Sequence, residues 1–377
     1  MGEEVGTVNL TLKFMTEMSN SASKKPLRVL MVAPALPILG GQTIQAVRLI
    51  DAFREEIGVI VDLQPINPAF LPTFQKVKYL RTVLTSIKYL FDLLVKTPRY
   101  DIIHIFSASY FSFLLAPTPA VLIAKLFGKK TILNYRSGEA ADHLKTWKRS
   151  AIPTIRLFDS IITPSGYLID VFRQFDLHAK VVFNFVDTEL FRFRPRKPLR
   201  PIFLSNRNFE ALYNVSCTLR AFALIQASMP DASLIVAGDG PEKDRLHQLA
   251  AELNLKNTEF TGRIVPRYMP ALYDKADVYL NSPSIDNMPN SIIEAFACGL
   301  PVVSTNAGGI PYIVENGRTG LLVDSDDHKA LAREAVSLFD GSGRAEKLIS
   351  AAREEVQRYT WQSVRADWLN MYRELAS

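Results

Sequence analysis

The 377-residue sequence has only two cysteines, Cys217 and Cys298, which is too few for a disulfide framework or a zinc site. Cys298 lies in an apolar segment that we predict to be helical, where a free cysteine behaves as a small hydrophobic residue. The scarcity of cysteine indicates a reducing compartment. We therefore expect a cytoplasmic protein.

The sequence also lacks the features of a secretion signal and of a membrane span. Glu3 and Glu4 stand where a signal peptide would have basic residues, and no apolar core follows them. The run from Ile105 to Ala124 is uncharged, but Pro117 and Pro119 would break a lipid-exposed helix. We expect a flexible lead-in at residues 1–25, and a buried loop and helix in the uncharged run.

Charge is distributed unevenly along the chain. Residues 1–200 have 27 Lys and Arg against 16 Asp and Glu, whereas residues 201–377 have 17 against 22. A basic half is typical of proteins that bind nucleic acid, an anionic membrane surface or an acidic acceptor. No nucleic-acid-binding motif accompanies it, so we expect no nucleic-acid partner.

Predicted strands alternate with helical segments along most of the chain, which favours parallel, doubly wound sheets. The first strand, Leu27 to Ala33, is a continuous apolar run, as in strands covered on both faces. A glycine pair and a helix from about Thr43 to Phe53 follow it. The other strands predicted in the first half are Val59 to Leu63, Ile102 to Phe106, Thr131 to Tyr135, Ser160 to Thr163 and Lys180 to Phe183.

The strand and helix pattern is interrupted once and then restarts. Residues 191–201 are Pro-rich and basic without periodicity, which indicates an interdomain linker. We therefore predict one Rossmann-like domain at 26–190 and a second at 202–358. Ligands of such sheets bind at the carboxyl ends of the strands, so the crevice between the domains is the expected site.

The segment from Asn281 to Val303 is the most informative in the chain. It places Asp286 and Glu294 eight residues apart, across a predicted turn and the start of a helix. Backbone N–H groups at a helix N-terminus attract anions, and carboxylates bind hydroxyls, so the segment fits a nucleotide sugar. The alternative is local: Ser291 and Glu294 have capping-box spacing, and Asp286 can simply shape the turn.

The whole run resembles the donor-binding signature of the retaining glycosyltransferases of family 4, the glycosyl transferases group 1. That signature has two Glu residues separated by seven others, then small residues, a Gly and Pro-Val-Val. Here Asp286 replaces the first Glu and the rest is intact. The segments 184–191, 236–242 and 307–323 are also similar to the family. The resemblance implies the GT-B fold, an α/β architecture with two Rossmann-like domains facing each other across a cleft, and a final helix at 359–377 that crosses back to the first domain.

The resemblance also implies roles for particular side chains. Glu294 would bind the two ribose hydroxyls, Asp286 would contact hydroxyls of the donor sugar, and Arg207 would bind the diphosphate as a bidentate cation. Glycine after the first strand would let the backbone approach the diphosphate. The remaining donor-site residues that it implies are Gly40, Gly41, Asn287, Met288, Asn290, Arg263 and Ile264.

Two departures from the family pattern concern positive charge. A Lys expected shortly after Arg207 is missing, and Tyr213 and Asn214 occupy that region. A His expected after the strand Thr131 to Tyr135 is replaced by Arg136. We hypothesise that Arg136 supplies part of the missing charge and acts in catalysis with Asp286 and Arg207. His143 is interpreted as structural.

The activity implied is transfer of a sugar from a nucleoside-diphosphate sugar to a hydroxyl of a glycolipid or polysaccharide precursor, with retention of configuration. The family requires no metal, and neither a metal nor another cofactor is expected here. One alternative is a nucleotide-sugar-binding protein that has lost catalysis, because the Lys and the His are missing. Another is a sugar-nucleotide epimerase, which would need acid and base residues across the sugar.

An amphipathic helix is predicted between residues 75 and 96. We expect its apolar stripe to pack on the first sheet. The alternative is an interfacial helix on anionic lipid at the inner face of the plasma membrane, consistent with the basic first half. The stripe consists of Val77, Leu80, Leu84, Ile87, Phe91 and Leu94, and the surrounding basic residues are Lys76, Lys78, Arg81, Lys88 and Lys96.

Overall fold

A computed structural model describes residues 25–38, 40–68, 78–107 and 109–377. The predicted lead-in, residues 1–25, therefore lies outside the described residues except for Lys25. The described chain forms two all-parallel sheets with helices packed on their faces, which confirms the predicted α/β architecture. The first sheet has the order β2-β1-β3-β4-β5-β6, with β1 (Leu27–Ala33), β2 (Val59–Pro65), β3 (Ile102–Ser107), β4 (Lys130–Tyr135), β5 (Ser160–Thr163) and β6 (Lys180–Val181).

The second sheet has the order β12-β11-β10-β7-β8-β9. In each sheet the strand order reverses once, between β1 and β3 in the first and between β7 and β10 in the second. Ligands of open parallel sheets bind at such reversals, beyond the carboxyl ends of the strands. The second-sheet strands are β7 (Ile202–Ser205), β8 (Ser233–Ala237), β9 (Thr258–Gly262), β10 (Val278–Asn281), β11 (Val302–Thr305) and β12 (Leu321–Val323).

Helices cover both faces of each sheet. Those associated with the first sheet are α1 (Gly41–Phe53), α2 (Lys78–Lys96), α3 (Tyr110–Leu115), α4 (Pro117–Leu126), α5 (Ala140–Thr146), α6 (Lys148–Ile155) and α7 (Gly166–Arg173). The later ones are α8 (Val215–Ser228), α9 (Lys243–Glu252), α10 (Met269–Lys275), α11 (Asn290–Cys298), α12 (His328–Val336), α13 (Arg344–Glu355) and α14 (Trp361–Ala376).

The last helix, α14, packs on the first sheet although it follows the second in sequence. Its side chains Val364 and Trp368 belong to the same buried cluster as Val29 and Ile102 of the first-sheet strands. The hydroxyl oxygen of Tyr372, also on this helix, lies 2.8 Å from Nδ1 of the buried His104 on β3. The chain therefore passes between the two sheets twice.

Strand β6 is shorter than predicted, because it ends at Val181 and not at Phe183. Phe183 leaves the sheet and makes an edge contact with Tyr359, with ring centres 5.3 Å apart. The backbone N–H of Val186 then donates to the carbonyl of Tyr359 (2.9 Å). The chain therefore stops pairing as a strand at the point where it meets the second crossing segment.

The predicted linker, residues 191–201, packs onto the second sheet. The Arg196 side chain is fully buried and donates to the carbonyls of Tyr273 (2.7 Å) and Ala276 (3.1 Å). The buried carboxylate of Asp277 accepts from Arg194 (2.5 Å) and from Arg200 (2.8 Å). Burial opposes ionisation of Asp277, but these hydrogen bonds prevail and lower its pKa.

The expected packing of the α2 stripe on the first sheet is wrong. Among its described members, Ile87, Phe91 and Leu94 are exposed, and Leu84 is half-buried. The buried face of the helix has Tyr89 and Leu93 instead, one turn apart. The reason is the Tyr89 hydroxyl, which donates to the Ala116 carbonyl (2.9 Å) and turns that face inward.

The uncharged run from Ile105 to Ala124 also differs from the expected buried loop and helix. It forms the end of β3 and the helices α3 and α4, and Phe111, Leu115 and Leu122 on their outer sides are exposed. None of the described helices is both long and apolar enough to cross a bilayer. Val77 and Lys76 of the predicted helix lie outside the described residues.

We predict that Asp277→Ala lowers the free energy of unfolding by about 3–5 kcal/mol, because it removes the carboxylate that lies 3.5 Å from Nε of the buried Arg196. Urea denaturation measures this change. Asp274→Ala is the matched control, since that carboxylate is 64% exposed and lies 3.9 Å from Arg194. Equal stability of the two variants would contradict the anchoring role of Asp277.

Candidate active site

A cleft of about 970 Å³ separates the two sheets, and loops from both line it. The structure brings together on its wall every residue singled out from the sequence as a candidate site residue. These are Gly40, Gly41, Arg136, Arg207, Arg263, Ile264, Asp286, Asn287, Met288, Asn290 and Glu294. His143 does not line the cleft. It is buried beside Tyr135, and burial lowers its pKa to about 4, so it is neutral at pH 7.

Helix α11 begins at the cleft, and its first residues do not form a capping box. Pro289 is the N-cap residue and Ser291 is already inside the helix, so Ser291 cannot cap it. The Ser291 hydroxyl accepts from Arg207 Nη1 (3.1 Å), and Glu294 contacts other residues. The purely local alternative for Glu294 is therefore wrong.

Arg207, which follows β7, forms an ion pair with Asp286, which follows β10. Their side chains are 9% and 13% exposed. Burial alone would lower the pKa of Arg207, but Asp286 raises it above its ordinary value. Asp286 also shapes the turn, because its Oδ1 accepts from the N–H of Asn287 (2.8 Å). The Tyr213 ring lies 4.0 Å from the Arg207 guanidinium, where the family would have a Lys.

Two glycines fix the course of the loop from Asp286 to Asn287. The N–H of Gly309 donates to the carbonyl of Asp286 (3.0 Å). A Cβ atom at Gly309 would lie only 1.9 Å from the Asn287 carbonyl oxygen. Gly308 has a φ of +54°, and a Cβ atom there would lie 2.2 Å from the Asp286 carbonyl oxygen. Only glycine fits here, because the two backbones are in contact.

Arg136 follows β4 and is tied to the same loop through Asn184. Its guanidinium donates to Asn134 Oδ1 (3.2 Å) and to Asn184 Oδ1. The Asn184 amide in turn donates to the carbonyl of Met288 (2.9 Å) and to Asn290 Oδ1 (3.0 Å). Burial lowers the pKa of Arg136. A cation of the first sheet is thus positioned against the N-terminal end of α11.

Helices α1 and α11 contact each other across the cleft in a polar seam. On α1, Gly41, Gln45 and Arg48 lie at spacings of four and three, and on α11, Asn290 and Glu294 lie four apart. Asn290 donates to the Gly41 carbonyl (3.3 Å), Gln45 donates to Asn290 Oδ1 (2.9 Å), and Arg48 pairs with Glu294 (2.6 Å). Residues one turn apart on a helix share a face, so each helix presents one side of its surface to the seam.

Sequence reasoning missed Gln45, Arg48 and Asn184, as well as Tyr273, which donates to Glu294 Oε2 (2.9 Å). The one available signal was the spacing of Gly41, Gln45 and Arg48 on a helix that begins at the predicted phosphate site. Gly41 is the first residue of α1 and not a loop residue as expected. Gly40 has extended backbone and an open space around it.

Residues 187–355 match the model of the family described as glycosyl transferases group 1. The chain is 28% identical over 187 residues to the N-acetyl-alpha-D-glucosaminyl L-malate synthase of Bacillus anthracis, a match that spans 47% of the chain and 48% of that protein. It is 25% identical over 277 residues to the glycogen synthase of Mycobacterium tuberculosis, covering 68% and 66%. The chain thus spans about half to two thirds of these relatives.

The fold is similar to that of a solved structure. The crystal structure of HepE from Anabaena in complex with UDP-glucose superposes with a TM-score of 0.75. The superposition covers 93% of the chain and 100% of HepE, at 19% sequence identity. The likeness shows that the two chains share the GT-B fold.

We predict that Gly309→Ala lowers the free energy of unfolding by about 3 kcal/mol, because the added methyl group overlaps the Asn287 carbonyl. Gly40→Ala is the matched control, and we expect a change within about 0.5 kcal/mol because its surroundings are open. Thermal and urea unfolding of both variants measure the difference. A Gly309 variant as stable as the Gly40 variant would disprove the close approach of the two loops.

Proposed function

We propose that the protein is a retaining glycosyltransferase, and the match of residues 187–355 to the model of the glycosyl transferases group 1 supports this proposal. It moves a sugar from a nucleoside-diphosphate sugar to a hydroxyl of a glycolipid or polysaccharide precursor. The observation on which this proposal depends is the convergence of Arg207, Asp286 and Glu294 with the N-terminus of α11 in one cleft.

The donor fits the cleft in one direction along α11. Glu294 lies one helical turn from Asn290. A ribose that binds the Glu294 carboxylate therefore places the diphosphate at the N-terminus of α11. That end of the helix also has Arg207, whose guanidinium contacts Ser291 (3.1 Å). The sugar then lies toward Asp286. The complex of HepE with UDP-glucose supports a donor of this class.

Transfer breaks the bond between the anomeric carbon and the diphosphate oxygen, whose electron pair stays with the diphosphate. The acceptor oxygen forms the new bond on the same face, and its proton passes to the departing diphosphate. Arg207 and Arg136 stabilise the negative charge that develops there. When a sugar hydroxyl donates a hydrogen bond to Asp286, the ion pair between Asp286 and Arg207 is weakened, and Arg207 becomes available for this role. No metal is needed in this scheme.

A second candidate is a nucleotide-sugar-binding protein without catalysis. The stacking of Tyr213 on Arg207 favours it, since an aromatic ring stands where the family has a second cation. Both candidates predict donor binding, and only the first predicts a product.

The deciding experiment screens UDP-, GDP- and ADP-sugars by thermal shift and then assays the binding ones for transfer and hydrolysis. A ligand at a hundred times its Kd stabilises by about 2.7 kcal/mol, which is readily detected.

We predict product formation, and a loss of turnover of about 10²–10³-fold in Arg136→Ala, as for removal of one charge-stabilising donor. Arg136→Lys retains part of the activity.

The exposed Arg149→Ala is the control and leaves turnover unchanged. Binding without any product would favour the second candidate. Unchanged donor affinity and turnover in Arg136→Ala would reject the role of that residue. If no nucleotide sugar shifted the melting temperature, the assignment to glycosyl transfer would be lost.

We further propose that the protein binds the anionic inner face of the plasma membrane through α2, α3 and α4. Tyr89, Phe113 and Val121 of these helices share one buried cluster, so the three helices lie together on one face of the first sheet. Their outer sides expose large apolar side chains, namely Val83, Ile87, Leu90, Phe91, Leu94, Val95, Phe111, Leu115, Leu122, Leu126 and Phe127.

The charge of this region favours lipid over another protein as the occupant. Residues 78–130 have eight Lys and Arg against two Asp and no Glu. Apolar side chains beside basic ones are typical of surfaces that insert into anionic interfaces. Such a surface would hold the protein at a membrane that contains a lipid-linked acceptor.

We predict that the protein sediments with vesicles of phosphatidylglycerol and phosphatidylcholine at low salt and is released at high salt. The double variant Ile87→Ser/Phe91→Ser loses this binding, because it removes two of the most exposed apolar side chains. Leu224→Ser, an exposed leucine of α8 on the second sheet, is the control. Absence of sedimentation by the wild type at low salt would exclude the membrane surface.

A further inference from the structure

Each oxygen of the Glu294 carboxylate accepts a hydrogen bond from a different side chain. Tyr273, which is completely buried, donates to Oε2 (2.9 Å). Arg48, which comes from the opposite sheet, donates to Oε1 (2.6 Å). The Arg48 and Glu294 side chains are 13% and 6% exposed. A ribose that reaches Glu294 from the cleft competes with Arg48 for Oε1, because Arg48 is the partner supplied from across the cleft.

Arg48 has little else to compensate its charge. Its Nη1 donates to the Phe185 carbonyl (3.2 Å), and its guanidinium lies 5.3 Å from the centre of the Phe191 ring. Within the described part of the chain, Glu294 is the one carboxylate that forms an ion pair with it. A guanidinium this well shielded from water is destabilising once its counter-charge is removed.

We propose that Arg48 is a specificity-determining residue of the donor site, which makes ligand binding depend on the phosphates. This inference rests on the proposed function, in which ribose binds Glu294. When ribose takes Oε1, Arg48 transfers to the diphosphate, which restores its ion pair. A neutral nucleoside takes the same carboxylate but leaves Arg48 unpaired, so the site rejects it.

The geometry places Arg48 between the two parts of the ligand. Its ion pair lies at Glu294, and the N-terminus of α11 is one turn away, about 6 Å along the helix axis. Helical side chains lean toward the N-terminus of their own helix, which for α1 is Gly41. Gly41 and Asn290 are in contact there. The Arg48 side chain thus leans toward the end of the helix pair where the proposed diphosphate position lies.

Calorimetric titration of wild type and variants with UDP, GDP and ADP, each beside uridine, guanosine or adenosine, tests this inference. For the base that binds, Arg48→Gln tightens the nucleoside about 10-fold and weakens the diphosphate about 10-fold, so their selectivity ratio falls about 100-fold. Arg48→Lys keeps a cation at this position and retains part of the selectivity for diphosphate over nucleoside. This second variant keeps the test informative if Arg48→Gln fails to fold.

Arg54→Gln is the matched control, because Arg54 follows the same helix, is 74% exposed and pairs only locally with Asp51. It leaves both affinities unchanged. If Arg48→Gln changed the affinities for the nucleoside and the diphosphate by the same factor, Arg48 would be only a contact between the sheets, and the inference would be overturned. Unchanged affinities for both ligands would overturn it as well. Failure of the wild type to bind any diphosphate would instead overturn the proposed function on which it rests.

Discussion

The structure depends on the seating of one loop and helix, residues 286–298, between the two sheets. Every residue of α11 except Asn290 is buried. On the side of the first sheet, Ser165 and Asn184 form hydrogen bonds with the loop before this helix. On the side of the second sheet, Gly308 and Gly309 lie in contact with the backbone of the same loop. Amides and hydroxyls make most of these contacts. Since such hydrogen bonds contribute little net energy each, polar ligand groups can replace them without loss of the fold.

Much of the fold was predictable, because apolar runs bounded by proline and glycine specify strands without knowledge of their partners. β1 and β5 have the predicted bounds. Predictions were wrong where tertiary contacts decided. The Tyr89 hydroxyl sets which face of α2 is buried, and the meeting of Phe183 with Tyr359 ends β6 early. Neither partner is local in sequence.

The cleft was predictable from one long motif, whereas its electrostatics were not. Asp286 and Glu294 stand in a recognisable segment, but their partners Arg207 and Arg48 lie 79 and 246 residues away. The spacing of Gly41, Gln45 and Arg48 is compatible with many helix faces. Only the arrangement of the two sheets shows that this face meets α11.

The anchoring of the linker arginines has a mechanical consequence. Because Arg194, Arg196 and Arg200 bind residues 191–201 to the second sheet, that stretch cannot serve as a pivot. Bending is left to the two crossings at 183–186 and 359–361. These run side by side, joined by the Val186 to Tyr359 hydrogen bond and by the packing of Phe185 on Trp361. We expect the two halves to bend about this line and to resist twisting, because two chain segments held together cannot rotate independently.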